Sequence, residues 1–229
     1  MRRSTLKIIA CTAMAISHFG CIFHSFLPAV LVDLLYYVGR ISFPIFAYLI
    51  TEGWCYTKSK PRYMRRLLFF AVLSQIPYTL AVSGNAVSHF ELNVLFTLFL
   101  GTCVLWIADI ALDFQGPFRY LLLFLSLIPV SLGFCFDMDF GWGGILCISF
   151  MGLSHNKSVK LCALVLSMGL IYLADFSLYY GIAFLFTLPA VILLYFYDGS
   201  SGRVKYKYLF YLFYPAHLLV LYCIYSLLC

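Results

Sequence analysis

Leu92-Asn-Val-Leu-Phe-Thr-Leu-Phe-Leu-Gly-Thr-Cys-Val-Leu-Trp-Ile-Ala-Asp-Ile-Ala-Leu112 is an apolar run as long as the ~20 residues one helix needs to cross the hydrocarbon core of a bilayer. Comparable runs occupy 6–24, 32–54, 63–83, 118–135, 140–154, 158–174, 180–197 and 208–228, the one at 140–154 being short. Together with 92–112 they predict about nine transmembrane helices. The connections are short and hold Pro28, Gly84-Asn85, Gln115-Gly116-Pro117 and Asp198-Gly199-Ser200-Ser201-Gly202, residues that end helices and form turns. No repeat or low-complexity tract interrupts the pattern, and no stretch is left over for a soluble domain. The expected fold class is therefore an all-α integral membrane protein, a polytopic bundle forming one domain over 1–229.

Composition agrees. Of 229 residues, 64% are hydrophobic and 10% charged, and the mean hydropathy is +0.97. A soluble domain carries about 25% charged residues, so this chain has too little polar surface for a water-facing globule. The 18 Tyr and 23 Phe are suited to anchoring helices at the membrane interfaces.

Lys and Arg give an orientation. With the first end counted as inside, the inner segments hold Arg2, Arg3, Lys7, Lys58, Lys60, Arg62, Arg65, Arg66, Arg119, Lys157, Lys160, Arg203, Lys205 and Lys207. Of the 15 basic residues, that leaves only Arg40, inside a span. The outer loops carry Glu91, Asp137, Asp139 and Asp175 instead. The alternation predicts an inside N-terminus and an outside C-terminus. It also makes the net charge of +6 a record of topology, so no nucleic-acid partner is expected. Met1-Arg2-Arg3, an apolar run and then Gly20-Cys21 also resemble a secretory signal. His18 is out of place in such a run, and the expectation is a retained first span. The nine cysteines show no C-x-x-C and no His at ligand spacing, so neither a disulfide framework nor a metal site is expected.

Polar side chains inside the spans are the candidate functional groups, because an ionisable group in hydrocarbon usually faces a bundle interior and serves a purpose. The first span carries Ser17-His18, with Cys11, Ala15 and Cys21 on the same face. The second carries Asp33, Tyr37, Arg40, Pro44, Tyr48 and Glu52 at steps of three and four, one polar face of a helix. Pro44 cannot bond back to the carbonyl of Arg40. Arg40 itself suits either an anion or a structural carboxylate. The third span contains Gln75 beside Pro77, whose missing N–H frees the carbonyl of Leu73. The fourth has Asn93, Thr97 and Gly101 in a polar-to-small stripe, and the last has Tyr214-Pro215-Ala-His217, where Pro215 is expected to break the helix beside His217. At 1.5 Å per residue, His18 and Arg40 lie roughly 4–5 Å outward of the span midpoints, Gln75 about 3 Å outward and His217 about 2 Å inward. Four polar residues on four helices thus share about one turn of depth. Histidine is suited to moving a proton near neutral pH. The basic stretch Lys58 to Arg66 suits either anionic lipid or a phosphate-bearing cofactor. The loop Phe136-Asp137-Met138-Asp139-Phe140-Gly141 is a candidate acceptor site.

These residues fall into a pattern that resembles the TraX family, membrane proteins associated with N-terminal acetylation of the pilin subunit of conjugative pili. The matching pieces are His18-Phe-Gly20; Gly39-Arg40-Ile-Ser-Phe-Pro44-Ile-Phe-Ala with Glu52-Gly53; Thr57-Lys58 with Tyr63 and Arg66-Leu67; Ser74-Gln-Ile-Pro77; Leu92-Asn93-Val-Leu-Phe-Thr97-Leu; Asp139-Phe-Gly141; and Tyr208-Leu-Phe-Tyr211 with Phe213-Tyr214-Pro215-Ala-His217-Leu. Residues 105–135 and 155–205 match by hydropathy only. Ser17 stands where the family often has Asp, and Tyr78-Thr79 where it often has an acidic residue.

The resemblance implies transfer of an acyl group, acetyl first of all, from cytoplasmic acetyl-CoA to an amine or hydroxyl of a peptide, glycan or lipid at the outer face of a bacterial plasma membrane. In that reading His18, His217 and Arg40 are catalytic. Lys58, Arg62, Tyr63, Arg65 and Arg66 bind the donor. Glu52, Gln75, Asn93, Asp139 and Tyr214 serve the acceptor or the oxyanion. A proton-coupled transporter and a non-catalytic assembly subunit are the alternatives.

Overall fold

A computed structural model describes residues 1–82, 91–174, 176–200 and 209–228. They form α1 (Arg3–Ile22), α2 (Ala29–Gly39), α3 (Ser42–Tyr56), α4 (Lys60–Val82), α5 (Val94–Asp113), α6 (Pro117–Leu125), α7 (Leu127–Cys135), α8 (Gly141–Gly152), α9 (Lys157–Leu173), α10 (Leu178–Leu185), α11 (Leu188–Tyr195) and α12 (Leu209–Leu228). The protein is all-helical apart from one isolated bridge among the described residues, Leu92 to Met138. The loop at Gly84-Asn85, the acidic Asp175, the cysteine at 229 and the last basic group, Arg203 to Lys207, fall outside the described residues.

Among the described residues, six stretches are long and apolar enough to cross a membrane: Arg3–Ile22, Ala29–Tyr56, Val94–Asp113, Pro117–Cys135, Leu178–Tyr195 and Leu209–Leu228. Of the nine expected spans, three do not meet both measures. The 12 residues of α8 rise about 18 Å, short of the ~30 Å core. The α9 helix has 17 residues, and α4 opens on Lys60, Arg62, Arg65 and Arg66. Large apolar side chains cover the exterior, among them Ile76, Phe124, Phe134 and Leu227, a coat that water would not tolerate and lipid does.

Three of the expected continuous spans are broken, and each break has the same cause. The segments 32–54, 118–135 and 180–197 divide into α2/α3, α6/α7 and α10/α11. Pro44, Pro129 and Pro189 then lie in the first turns of α3, α7 and α11, where a missing N–H leaves no bond unmade. Pro77 and Pro215 behave differently, because α4 and α12 continue through them. The expectation that Pro215 ends its helix beside His217 is thereby corrected. So is the placing of Pro44 inside a continuous helix: the break falls at Arg40, which caps α2 and gives its N–H to the carbonyls of Tyr37 and Val38.

The chain forms two compact units: Met1–Phe46 with Leu73–Ser88 and Tyr172–Cys229, and Ala47–Val72 with His89–Ile171. In the first, α1 packs on α2 and α12. The α1–α2 approach depends on Gly39, where a Cβ would lie 2.3 Å from that of Ser17. Small residues at a crossing let helices approach closely where lipid supplies no hydrophobic drive. A backbone tie holds the start of the chain to the turn after α11. Arg3 donates to the carbonyl of Ser200 (2.9 Å), Asp198 to that of Met1 (3.2 Å), and Arg3 Nε to the Tyr197 hydroxyl (3.1 Å).

In the second unit α5 packs on α6, α7 and α8. Asn93 caps α5, its Oδ1 accepting from the Leu95 amide (3.0 Å) while its Nδ2 donates to the Ala71 carbonyl (2.9 Å). Beside it Leu92 exchanges backbone bonds with Asp137 and Asp139 (2.8 and 3.2 Å), and the Thr97 hydroxyl donates to the Asp139 carbonyl. About 24 Å further along α5, Asp109 accepts from Trp54 Nε1 (2.9 Å) and pairs with Lys60. One end of this unit thus collects the turns before α5 and α8. The other collects the end of α3 and the start of α4.

The turn after α11 carries a titration signature. The Ser200 side chain and amide hold the Asp198 carboxyl down at about 2, against an ordinary 3.8, and the amino-terminal ammonium adds to this. A depressed carboxyl contributes its tie above the ordinary value and loses it as pH falls through the lower one. The Asp198 carboxyl-carbon NMR shift should titrate with its midpoint near 2. A midpoint at the ordinary value would mean that the turn does not hold.

Candidate functional site

The first unit brings both predicted histidines into contact. His18, from α1, and His217, from α12, lie 2.8 Å apart between Nδ1 and Nε2. On its other side His217 Nδ1 lies 2.8 Å from the Phe213 carbonyl. A carbonyl can only accept, so His217 Nδ1 carries a hydrogen. Neutral His217 then presents a lone pair at Nε2, and His18 must donate from Nδ1. This leaves His18 Nε2 with its lone pair and, among the described residues, no hydrogen-bond partner. The dyad therefore has one direction: His18 Nε2 is the open basic atom, and His217 orients and backs it.

Aromatic rings fix the pair. Phe213 stacks on His217 (4.8 Å between centroids, 11°). Tyr214 is buried and meets His18 edge-on at 6.0 Å and His217 at 5.7 Å. Residues 213, 214 and 217 sit one turn apart on α12, which is why one short motif supplies the histidine, its carbonyl anchor and both flanking rings.

Arg40 enters beside them through the α1–α2 crossing. Ser17 and Gly39 meet there, and the next residue on each strand of chain is His18 or Arg40. The guanidinium stacks on Tyr36 at 4.0 Å, and it donates to the Tyr36 carbonyl and the Tyr172 hydroxyl, each at 3.3 Å. Tyr36 and Tyr37 pack on Tyr179 at 5.3 Å each. Gln75 belongs to the same unit, and its amide donates to Thr79 on its own helix (3.2 Å).

The other predicted residues belong to the second unit. Asn93 is fully buried in the cap described above, so its amide does structural work there. Tyr63 is buried and donates to the Ile50 carbonyl (3.2 Å), and Arg66 lies over its ring at 5.3 Å. Lys58, Arg62 and Arg65 are exposed, Glu52 is buried and Asp139 half-buried. Sequence reasoning missed the Phe213 carbonyl, Tyr36 and Tyr172 in the first unit, and Asp109, Cys55 and Lys160 in the second. Only Gly39, directly before Arg40 in an apolar helix, signalled the close crossing.

The TraX protein family model matches residues 2–225. The chain belongs to the TraX family. It is similar to a probable fimbrial assembly protein, FimC of serogroup H1, from Dichelobacter nodosus. The two are 31% identical over 240 residues, which covers 94% of this chain and 92% of that relative. No solved structure matches.

Two measurements test this TraX protein's dyad. Histidine 15N NMR should show His217 protonated at Nδ1 and His18 Nε2 with the shift of an open lone pair at high pH; the reverse tautomers would exclude the relay. Gly39→Val should push Ser17 aside, lower the Tm and broaden both histidine signals. An unchanged spectrum would detach the crossing from the site.

Proposed function

We propose that this TraX protein is a membrane-embedded acyltransferase that moves an acetyl group from acetyl-CoA to an amine or hydroxyl. The observation that carries the reading is the directed dyad, a histidine with an open Nε2 backed by a second histidine inside an apolar bundle. As the acceptor attacks the thioester carbon, its proton passes to His18 Nε2. The charge gained is shared through Nδ1 with His217, whose own Nδ1 stays on the Phe213 carbonyl. Collapse of the tetrahedral adduct breaks the carbon–sulfur bond, and the proton leaves with the CoA thiol. Arg40, held by Tyr36 and Tyr172, supplies fixed positive charge that would stabilise an oxyanion. The acceptor's α-amino group, if it is a peptide, needs little activation, since its pKa is about 7.7–8.0.

The chemistry of Lys58, Arg62 and Arg65 suits the phosphates of the donor. The family, and a relative named for fimbrial assembly, favour a pilus-type subunit as the acceptor to try first. The N-inside, C-outside orientation belongs to the same proposal. It is supported by charge alternation and by the segregation of the α5 start and the Lys60–Asp109 pair to opposite ends of the second unit.

Proteoliposomes loaded with acetyl-CoA and given a peptide amine outside test the reaction. His18→Ala should slow transfer by roughly 10²–10⁴-fold, the range for a positioned acid–base group. His217→Ala should slow it less, since the basic atom remains. Full activity in both variants would sink the assignment. A non-catalytic assembly subunit predicts no CoA release from the wild type at all.

A further inference from the structure

Lys160, four residues into the α9 segment, is 5% exposed. Its ammonium donates to the Cys55 sulfur at 3.8 Å and lies 5.8 Å from the Tyr48 ring centroid. Among the described residues no carboxylate lies within ion-pair distance of it. Half-buried Lys60 is a contrast, because it pairs with Asp109 and also lies 5.1 Å from the Trp54 ring. An ammonium has three N–H donors and no acceptor, and a buried charge is costly unless it is paired. A thiol and a ring face meet little of that need. Glu52 is buried on the same face of α3 as Tyr48 and Cys55, yet it does not pair with Lys160.

Position adds a second argument. The Cys55 contact brings the start of α9 to the end of α3, and Trp54 and Lys60 meet on Asp109 beside it. Basic residues that lie 100 positions apart in the chain thus gather at one end of the second unit. Lys58, Arg62 and Arg65, at the α3–α4 turn and the start of α4, are exposed, and Lys160 is buried.

We propose that Lys160 is the inner end of a phosphate-binding site, and that its occupant is the phosphate-bearing portion of the acyl donor. This rests on the acyltransfer reading above. A lipid headgroup carries the same phosphate chemistry, and the test separates the two sources.

Lys160→Met keeps the stem and removes the charge. Replacing a buried charge by a matched apolar side chain is often neutral or stabilising. The ligand-free variant should therefore keep or raise its Tm in phosphatidylcholine nanodiscs. Its affinity for CoA, and for adenosine 3′,5′-bisphosphate, should fall about tenfold or more, the loss of one charged hydrogen bond. Lys160→Arg should retain most of the affinity. A lower Tm with unchanged affinity would make Lys160 a structural residue and overturn the proposal. Stabilisation by phosphatidylglycerol that Lys160→Met abolishes, with CoA affinity intact, would assign the site to lipid and overturn it as well. CoA binding by the wild type that ignores Lys160 defeats this inference alone. A wild type that binds no CoA defeats the acyltransfer reading itself.

Discussion

A polar backbone group inside a bilayer must find its partner within the protein, because no water is there to supply one. That constraint organises α12. Pro215 stays within the helix and removes one N–H, the one that would serve the Tyr211 carbonyl. Two residues after Tyr211, the Phe213 carbonyl accepts from His217 Nδ1. A side chain bonded to a backbone carbonyl loses its freedom to turn, and with it the freedom to exchange tautomers. The bond fixes which nitrogen of His217 faces α1, and hence which nitrogen of His18 stays open. The direction of the histidine pair thus follows from one backbone carbonyl of α12.

The same economy explains the breaks. A proline deep in a long apolar run leaves a carbonyl without its donor, and the chain answers in one of two ways. Where the helix restarts, the proline falls in a first turn and nothing is lost, as at Pro44, Pro129 and Pro189. Where the helix continues, as at Pro77 and Pro215, the position is held by packing from outside. Hydropathy sees both cases as one apolar segment. That is why it located the helical regions well and missed the three interruptions within them. It also explains why Arg40, expected in mid-helix, caps α2 instead.

What could be read in advance was depth and type. His18, His217 and Arg40 stand out because a charge in hydrocarbon is rare, and rarity is legible in a linear string. Partnership was less legible. Asn93 and Gln75 are both read as serving the acceptor or the oxyanion, yet one amide closes a helix cap and the other bonds within its own helix. The Phe213 carbonyl carries no sequence signature at all, since every residue has one. In the linear sequence Lys160 reads as one more topology charge, and its burial separates it from Lys58, Lys60 and Lys157.

The family's usual Asp before the first histidine raises a sharper point. With Ser17 in that place, the sequence leaves open what orients the His18 ring. The geometry supplies a different partner, because His18 Nδ1 faces His217, so the second histidine takes the orienting role. Position 17 meanwhile meets Gly39, where a Cβ on the facing helix would already be 2.3 Å away. A serine is small enough for that crossing; an aspartate at this spacing would add bulk and a charge where α1 and α2 are closest. Ser17 thus goes with two features of this chain: a close α1–α2 crossing at Gly39, and a histidine pair in which His217, not a carboxylate, faces His18 Nδ1. A histidine backed by a neutral imidazole gains less from its partner on taking a proton than one backed by a carboxylate. Under the acyltransfer reading proposed above, such a pair would suit an acceptor that needs little activation, as a free α-amine does, better than a hydroxyl.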